Sequence, residues 1–178
     1  GNLLPKDNIE HVIRRLMSTP LFPVEVEIFK SKIEFHDFRS GEVLRPCDGV
    51  TLRTAPLDHP DGASGYRLEH GGRVFSVISD TEGYPGKRDN ELLSLAQDAD
   101  LIVYDSTFTE EELTTRQGWG HSTWVRGIRL ANQAGAKQLC LFHHDPSHND
   151  TFMDKLAADA NDARPGTIAA HEGQIVDL

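Results

Sequence analysis

The amino-acid sequence predicts a single layered α/β domain. Three observations lead to this prediction: early apolar–polar alternation at 50–55 and 66–69, continuous apolar runs at 101–104 and 138–142, and helical patterns between and after those runs. Antiparallel strands followed by alternating helices and strands are typical of a sheet covered by helices. The chain has 178 residues and shows no linker, repeat or low-complexity segment, so we expect one domain over residues 1–178.

The first half of the chain is predicted to contain one helix and several strands. A 3.6-residue apolar period predicts a helix over 7–18 with Asp7 as its cap. Alternating polarity predicts a strand at 33–38. Gly71-Gly72 predicts a tight hairpin between strands 66–69 and 73–79, because glycine tolerates the positive φ that both turn positions need.

The second half is predicted to alternate helix and strand. Helices are expected at 89–98, with Asp89 as the cap, at 122–134, and at 151–161, with Asn149 or Asp150 as the cap. The apolar runs at 101–104 and 138–142 predict strands covered on both faces. The C-terminus, with strand patterns at 167–170 and 174–176, predicts a final hairpin.

Charge and cysteine content narrow the class of partner. A net charge of -10 argues against non-specific binding to large nucleic acids or anionic membranes, which require a basic surface. A small phosphorylated substrate remains compatible with this charge, since bound cations would supply local positive charge.

The two cysteines, with no visible signal peptide, favour a cytoplasmic protein. The chain starts at Gly1 without a methionine, so an upstream targeting segment is left open.

Three potential metal ligands follow predicted strands. His59 comes after the strand that includes 50–55, Asp80 follows the strand at 73–79, and His143 follows directly on the run at 138–142. Imidazole and carboxylate groups suit zinc, iron or manganese. Each residue also has a simpler interpretation, His59 and His143 as ordinary loop histidines and Asp80 as a turn cap. A common sheet edge would bring all three together.

A fourth histidine lies in the segment Gly120-His121-Ser122-Thr123, just before a predicted helix. The small neighbours of His121 leave room for an anionic group, and a helix N-terminus favours one. The alternative is that Ser122 merely caps the helix.

The order His59, Asp80, His143 resembles the later ligand motifs of the metallo-β-lactamase superfamily. Ser79-Asp80-Thr81 is similar to the superfamily motif in which a strand ends in Ser-Asp-Thr or Gly-Asp-Thr. Gly120-His121-Ser122-Thr123, followed by a helix and the strand before His143, is similar to the ribonuclease Z-like phosphodiesterase branch. The resemblance implies an αββα sandwich and two divalent metal ions, with zinc preferred over iron or manganese. It implies that His59 binds one metal, His143 the other, and that Asp80 bridges them. Asp80 and His121 are the implied catalytic residues, His121 as the phosphate contact and proton donor.

The chain departs from that family pattern in two respects. No His-x-His-x-Asp-His motif occurs in the sequence, so the chain resembles the C-terminal part of an incomplete sandwich whose earlier motif would lie upstream of Gly1. Metal occupancy in this chain alone is therefore expected to be partial or absent. Only 21 positions separate His59 from Asp80, which leaves no room for the long arm that grips transfer RNA. This spacing favours a small phosphodiester substrate.

Three functions follow from these patterns. The leading hypothesis is that the full-length protein is a dinuclear metal-dependent phosphodiester hydrolase. The second is hydrolysis of a thioester, lactone or β-lactam on the same fold. The third is a catalytically incompetent fragment that serves as an interaction module, in which an exposed sheet face would lead to homo-oligomers.

Overall fold

A computed structural model describes residues 8–178, which fall into two compact units with the boundary in the sequence between Ser40 and Gly41. In the first unit, helix α1 spans Ile9–Leu16 and is capped by Asn8, whose side chain accepts a hydrogen bond from the His11 N–H. The predicted cap, Asp7, lies outside the described residues. A 3₁₀ turn covers Val26–Ile28.

The prediction of a strand at 33–38 is wrong. This segment forms no strand in the described structure. Ile33 is 42% exposed, so the apolar–polar alternation there does not mark a half-buried sheet face.

The second unit is built on one sheet of seven strands, arranged in the order of the sequence. The strands are β1 (Val43–Leu44), β2 (Thr51–Leu57), β3 (Ala63–His70), β4 (Arg73–Ile78), β5 (Leu101–Asp105), β6 (Gln138–Phe142) and β7 (Ile168–Ala169). Strands β1 to β4 pair in antiparallel fashion, and β4 to β7 pair in parallel. The predicted layered α/β arrangement, with antiparallel strands first, is confirmed.

The hairpin between β3 and β4 is confirmed at its predicted position. His70 pairs with Arg73 across the turn, and Gly71 and Gly72 adopt φ values of 56° and 77°. Left-handed φ at both central positions matches the right-handed twist of the flanking strands. This hairpin accounts for most of the interval between His59 and Asp80.

Helices connect the parallel strands and cover one face of the sheet. They are α2 (Asp89–Ala96), α3 (Glu110–Leu113), α4 (Trp124–Gln133) and α5 (Asp150–Ala163). The core under α2, α4 and α5 contains Ile78, Tyr104 and Leu141, all fully buried. Burial of this apolar surface is the main source of stability for the unit. None of the helices within residues 8–178 has the length and apolar character needed to cross a membrane.

The opposite face of the sheet is only partly covered. Phe75, Val77 and Val103 are half-buried there, and Phe142 is 47% exposed. These side chains line a cavity of about 570 Å³ together with the C-terminal Leu178. The sheet therefore has one well-packed face and one that retains accessible apolar surface.

One capping prediction is wrong, the alternative that Ser122 caps a helix is excluded, and the choice of cap for α5 is resolved. Asp89 is the first residue of α2 and not its cap, and its carboxylate accepts from the Gly86 N–H. Thr123, and not Ser122, caps α4 through a hydrogen bond from the Arg126 N–H. Of the two alternatives for α5, Asn149 is the cap.

The predicted C-terminal hairpin is also wrong. Only Ile168–Ala169 forms a strand, and it pairs in parallel with β6. Residues 174–176 form no strand. Val176 instead lines the cavity on the open face of the sheet, so its apolar character reflects packing and not strand pairing.

Candidate metal centre and active site

Four strands deliver polar residues to one edge of the sheet. Strands β4, β5 and β6 run parallel, so Asp80, Asp105 and His143 all lie at their carboxyl ends. Strand β2 reaches the same edge because two successive antiparallel pairings restore the direction of β4. His59 therefore follows β2 at that edge too. The sequence-based expectation that the strand exits converge is met.

Asp80 and His143 both adopt left-handed backbone conformations, with φ values of 60° and 59°. Such conformations are uncommon for residues with a side chain and persist where neighbouring groups fix them. The Asp80 N–H donates to Asp105 Oδ2 at 3.0 Å, and the His143 carbonyl accepts from the Thr107 hydroxyl at 2.6 Å. Two side chains at the end of β5 thus hold both predicted ligands in place.

Asp105 is the centre of this network. It is fully buried, and its Oδ1 accepts from the N–H groups of Thr107 and Ser122, both at 3.1 Å. Its Oδ2 accepts from His121 Nδ1 at 3.0 Å, in addition to Asp80. A buried carboxylate needs this many donors to offset its desolvation.

The ionic states of Asp105 and His121 are coupled. Burial works against ionisation of Asp105, yet the hydrogen bonds from His121 and from the backbone outweigh it and keep the pKa of this carboxyl below its ordinary value. The Asp105 carboxylate in turn raises the pKa of His121, although burial of the ring opposes this shift. The pair therefore favours a protonated imidazole with Nε2 directed away from Asp105.

His143 is oriented so that one ring nitrogen can bind a cation. Its Nδ1 lies 2.9 Å from Thr107 Oγ1. The hydroxyl proton of Thr107 goes to the His143 carbonyl, so Oγ1 can accept a proton carried by Nδ1. That tautomer leaves the Nε2 lone pair facing Asp80 Oδ1 at 3.4 Å. Two acceptor atoms facing each other suit a shared cation. Histidine ligands of metals commonly have their second nitrogen bound in this way.

The structure brings together two overlapping sets of ligand atoms. One set comprises His59, Asp80 and His121, and the other Asp105, His121 and His143, with the ligand atoms of each set within 4.8 Å of one another. The three predicted ligands are thus divided between the sets, and Asp105, which was not predicted, joins His143. The rings of His121 and His143 stack at 4.8 Å. Nitrogen and carboxylate donors at these separations fit divalent cations such as zinc. His148 lies apart, where its Nε2 contacts Glu112 at 3.0 Å.

Glu82 connects the loops that carry His59 and His121. Its carboxylate accepts from the N–H groups of Gly118 at 2.9 Å and Gly120 at 3.0 Å. Its own N–H donates to the Asp58 carbonyl at 2.8 Å. A Cβ at Gly120 would lie 2.2 Å from the His59 ring, so the two loops touch at that point. Glu82 therefore sets the separation between His59 and His121.

A cleft of about 610 Å³ opens beside His59. Its lining includes the acidic residues Asp58 and Glu82 and the basic residues Lys87 and Arg126. Arg126 donates to the Glu82 carbonyl at 2.8 Å. The cleft is large enough for a small organic substrate next to the ligand sets.

Asp105, Thr107 and Glu82 were not identified from the sequence. The rule that selected Asp80 and His143 also applies to Asp105, a carboxylate at the end of the apolar run 101–104. Thr107 and Glu82 give no comparable signal, because their roles depend on which loops meet in space.

The sequence matches the family model described as the beta-lactamase superfamily domain over residues 9–144. Among curated relatives, Ribonuclease Z of Lactobacillus helveticus is 33% identical over 155 residues, covering 85% of this chain and 47% of that protein. Ribonuclease Z of Lactobacillus acidophilus is 30% identical over 140 residues, covering 79% of this chain and 41% of that protein. The chain thus spans less than half the length of these relatives.

Solved structures share the fold at low sequence identity. The metallo-beta-lactamase fold protein YhfI from Bacillus subtilis superposes with a TM-score of 0.66 at 20% identity, covering 82% of this chain and 56% of that one. Zinc-bound PqqB from Methylobacterium extorquens superposes with a TM-score of 0.62 at 19% identity, covering 79% of this chain and 55% of that one. The short form of human tRNase Z superposes with a TM-score of 0.59 at 18% identity, covering 76% of this chain and 46% of that one.

The family model covers most of the chain, and the curated relatives place the chain near the ribonuclease Z branch. The protein belongs to the beta-lactamase superfamily and is a ribonuclease Z-like member of it.

Proposed function

We propose that this chain forms part of a dinuclear metal-dependent hydrolase that cleaves a small phosphodiester. The observation that carries the proposal is the placement of His59, Asp80 and His143 around His121 at one sheet edge, with His143 Nε2 3.4 Å from Asp80 Oδ1, within a superfamily whose neighbours include a zinc-bound protein. In this proposal His59 would hold one cation and His143 the other, with the Asp80 carboxylate as the ligand that both would share. Zinc is the preferred ion, and iron and manganese suit the same donors.

Bound cations would supply positive charge next to the phosphorus and lower the pKa of the attacking water, whose oxygen replaces the leaving group. His121 Nε2 donates a proton to the leaving-group oxygen, a role that fits the raised pKa of the ring. Asp105 orients that ring through Nδ1 and stabilises its protonated form. Thr107 holds the His143 ring so that Nε2 faces Asp80. The protein thus contributes orientation and one proton, with the ring positions set before substrate arrives.

Small substrates are favoured over large nucleic acids. The β3–β4 hairpin occupies 63–78, so the interval between His59 and Asp80 has no space for an additional arm. The net charge of -10 also disfavours a long polyanion. We propose a cytoplasmic location as well, which suits the free thiols of Cys47 and Cys140.

The test is metal analysis combined with hydrolysis of bis-p-nitrophenyl phosphate by the full-length protein. We expect bound divalent metal, loss of activity with a chelator, and recovery when zinc or manganese is restored. An Asp80→Asn variant should lose both metal and activity. Parallel assays with a lactone and with S-lactoylglutathione separate the proposed reaction from the other hydrolytic chemistries of this fold. Turnover of only those substrates would contradict the phosphodiester proposal.

A second proposal concerns association of the chain with itself. The open face of the sheet carries Phe75, Val77 and the 47% exposed Phe142, which is the kind of surface that pairs with another apolar face. We expect the 178-residue chain to form dimers or larger species by light scattering. A Phe142→Lys variant should shift the population toward monomer. A monomeric wild-type chain would contradict this expectation.

A further inference from the structure

One wall of the 610 Å³ cleft is the loop between β4 and α2, and its backbone is held by hydrogen bonds. The Tyr84 N–H donates to the Tyr104 hydroxyl at 3.1 Å. The Gly86 N–H donates to the Asp89 carboxylate at 2.6 Å. The next residue, Lys87, lines the cleft from this ordered backbone, and its side chain is 84% exposed. The ammonium group is therefore available to a ligand in the cleft.

Arg126 lines the same cleft from the first turn of α4. Its Nη1 donates to the Glu82 carbonyl at 2.8 Å, which fixes the position of the guanidinium. Its Nε is buried without a hydrogen bond, and Glu110 Oε1 lies 3.9 Å from it. An arginine side chain carries five N–H groups. Within residues 8–178 this guanidinium has one hydrogen-bonded acceptor, so it retains donors for a ligand.

The two acidic residues of the cleft do not occupy these donors. Both carboxylate oxygens of Glu82 accept from backbone amides, those of Gly118 and Gly120. Asp58 Oδ1 lies 3.7 Å from Lys87 Nζ, which is longer than a hydrogen bond. An ion pair with so exposed a lysine contributes little to stability. Lys87 can therefore turn from Asp58 to a stronger partner at small cost.

We propose that Lys87 and Arg126 form an anion subsite, which binds a second anionic group that the substrate carries away from the scissile phosphodiester. The inference rests on the phosphodiesterase function proposed above and concerns which substrates that site selects. A guanidinium with free N–H groups binds a phosphate or a carboxylate in bidentate fashion, and a flexible ammonium adds charge. His59 lines the same cleft, so a substrate held at His59 extends into this subsite.

The charge of the rest of the molecule makes the subsite selective. The net charge of -10 opposes binding of an anion at most of the surface. Within the described residues, the lining of this cleft includes no lysine or arginine besides Lys87 and Arg126. Binding of the second anion should therefore depend on these two side chains. The shared chemistry of the group is that of a terminal phosphate or a terminal carboxylate.

Binding of single anions to the metal-free, full-length protein tests the subsite directly. The protein is titrated with propyl phosphate, with butyrate and with uncharged propanol, and the Arg126 Nε–H signal is followed by NMR. Arg126 is observed and not replaced, because it also holds the Glu82 carbonyl. We expect a saturable shift with at least one anion at about millimolar concentration, and none with propanol. The anion that binds more tightly identifies the group as phosphate or carboxylate.

Variants of Lys87 separate this subsite from general charge effects. Lys87→Met should weaken anion binding about 3- to 10-fold, and Lys87→Arg should restore most of it. Asp58→Asn should strengthen binding about 2- to 3-fold, because a competing carboxylate is gone. The matched control is Lys155→Met on α5, which removes an equally exposed lysine paired with Asp159 and should change nothing. Absence of any shift at Arg126, or equal weakening by Lys87→Met and Lys155→Met, would overturn the proposal.

Hydrolysis by the metal-loaded, full-length protein connects the subsite to the reaction. The substrates are p-nitrophenyl propyl phosphate and its analogues with a phosphate or a carboxylate at the end of the propyl chain. We expect the terminal anion to lower KM about 3- to 10-fold, and Lys87→Met to remove this advantage. Anion binding at Arg126 in a protein that hydrolyses none of these esters refutes the proposed function and not the anion site. Hydrolysis of all of them with equal KM refutes the role of the subsite alone.

Discussion

A buried carboxylate lies at each end of strand β5, and the two carboxylates have different roles. Asp100, immediately before the strand, accepts from Lys137 Nζ at 2.7 Å and from Arg73 Nη1 at 3.2 Å, both on mostly exposed side chains. Asp105, the last residue of the strand, binds His121 and backbone N–H groups of three loops in full burial. The amino end ties strands together, whereas the carboxyl end organises the site. Open sheets with parallel strands bind ligands at their carboxyl ends, and this chain follows that rule.

The strongest test of the comparison is Asp105→Asn. Both carboxylate oxygens of Asp105 accept hydrogen bonds from N–H groups. The NH₂ group of asparagine would therefore face an N–H donor in either orientation of the amide. We expect a loss of about 3–5 kcal/mol in the free energy of unfolding by urea denaturation. The pKa of His121, followed by NMR, should fall because its acidic partner is gone.

Asp80→Asn is the matched control at the same edge. The Asp80 side chain is 47% exposed, and asparagine tolerates its positive φ, so the loss of stability should stay below about 0.5 kcal/mol. Similar losses in both variants would show that Asp105 has no special organising role.

The next effect is expected for Gly120→Ala. Its methyl group would lie 2.2 Å from the His59 ring and 2.8 Å from Pro60, in a residue with φ of 84°. Gly118→Ala shares the left-handed conformation, with φ of 81°, but has open space around the new methyl. Gly120→Ala should therefore cost about 1–3 kcal/mol more than Gly118→Ala in the free energy of unfolding. Equal costs would mean that the His59 loop moves aside freely.

A smaller effect is expected for Glu82→Gln. An amide accepts only one of the two hydrogen bonds from Gly118 and Gly120, so the variant should lose about 1 kcal/mol in the free energy of unfolding. Hydrogen exchange of the Gly118 and Gly120 amides should become faster. Glu111→Gln, at an exposed position of α3, serves as the control and should change neither quantity. Unchanged hydrogen exchange of these two amides in Glu82→Gln would contradict the role of Glu82 in connecting the loops.

The sequence predicted those features that depend on local pattern. Strand β6 forms at its predicted residues, and the glycine pair produces its hairpin because both depend on burial and turn geometry nearby in sequence. The placement of His59, Asp80 and His143 at one sheet edge was expected because each follows a strand and because their order resembles a family motif, whereas the division of their ligand atoms between two sets depends on the loops. The strands predicted at 33–38 and 174–176 do not form, because polar–apolar alternation and apolar character do not show whether a neighbouring strand is available for pairing. Glu82 was missed because its partners lie more than 30 residues away.

The smallest effect is expected for Asp100→Asn, and it should depend on pH. The hydrogen bond from Lys137 is the main cause that holds the pKa of Asp100 at about 2, below the ordinary 3.8. A carboxyl with a lowered pKa in the folded state stabilises the protein above its unfolded pKa. The free-energy difference between wild type and variant should thus be complete above about pH 5 and be lost progressively as the pH falls through the folded pKa of about 2. Its size should be modest and decrease with salt, because Lys137 and Arg73 are 68% and 58% exposed. Asp98→Asn, at an exposed position nearby, is the control for removal of a carboxylate from this end of the strand. If Asp100→Asn lowered the free energy of unfolding as much as Asp105→Asn, and with as little dependence on salt, the proposed difference between the two ends of β5 would be wrong.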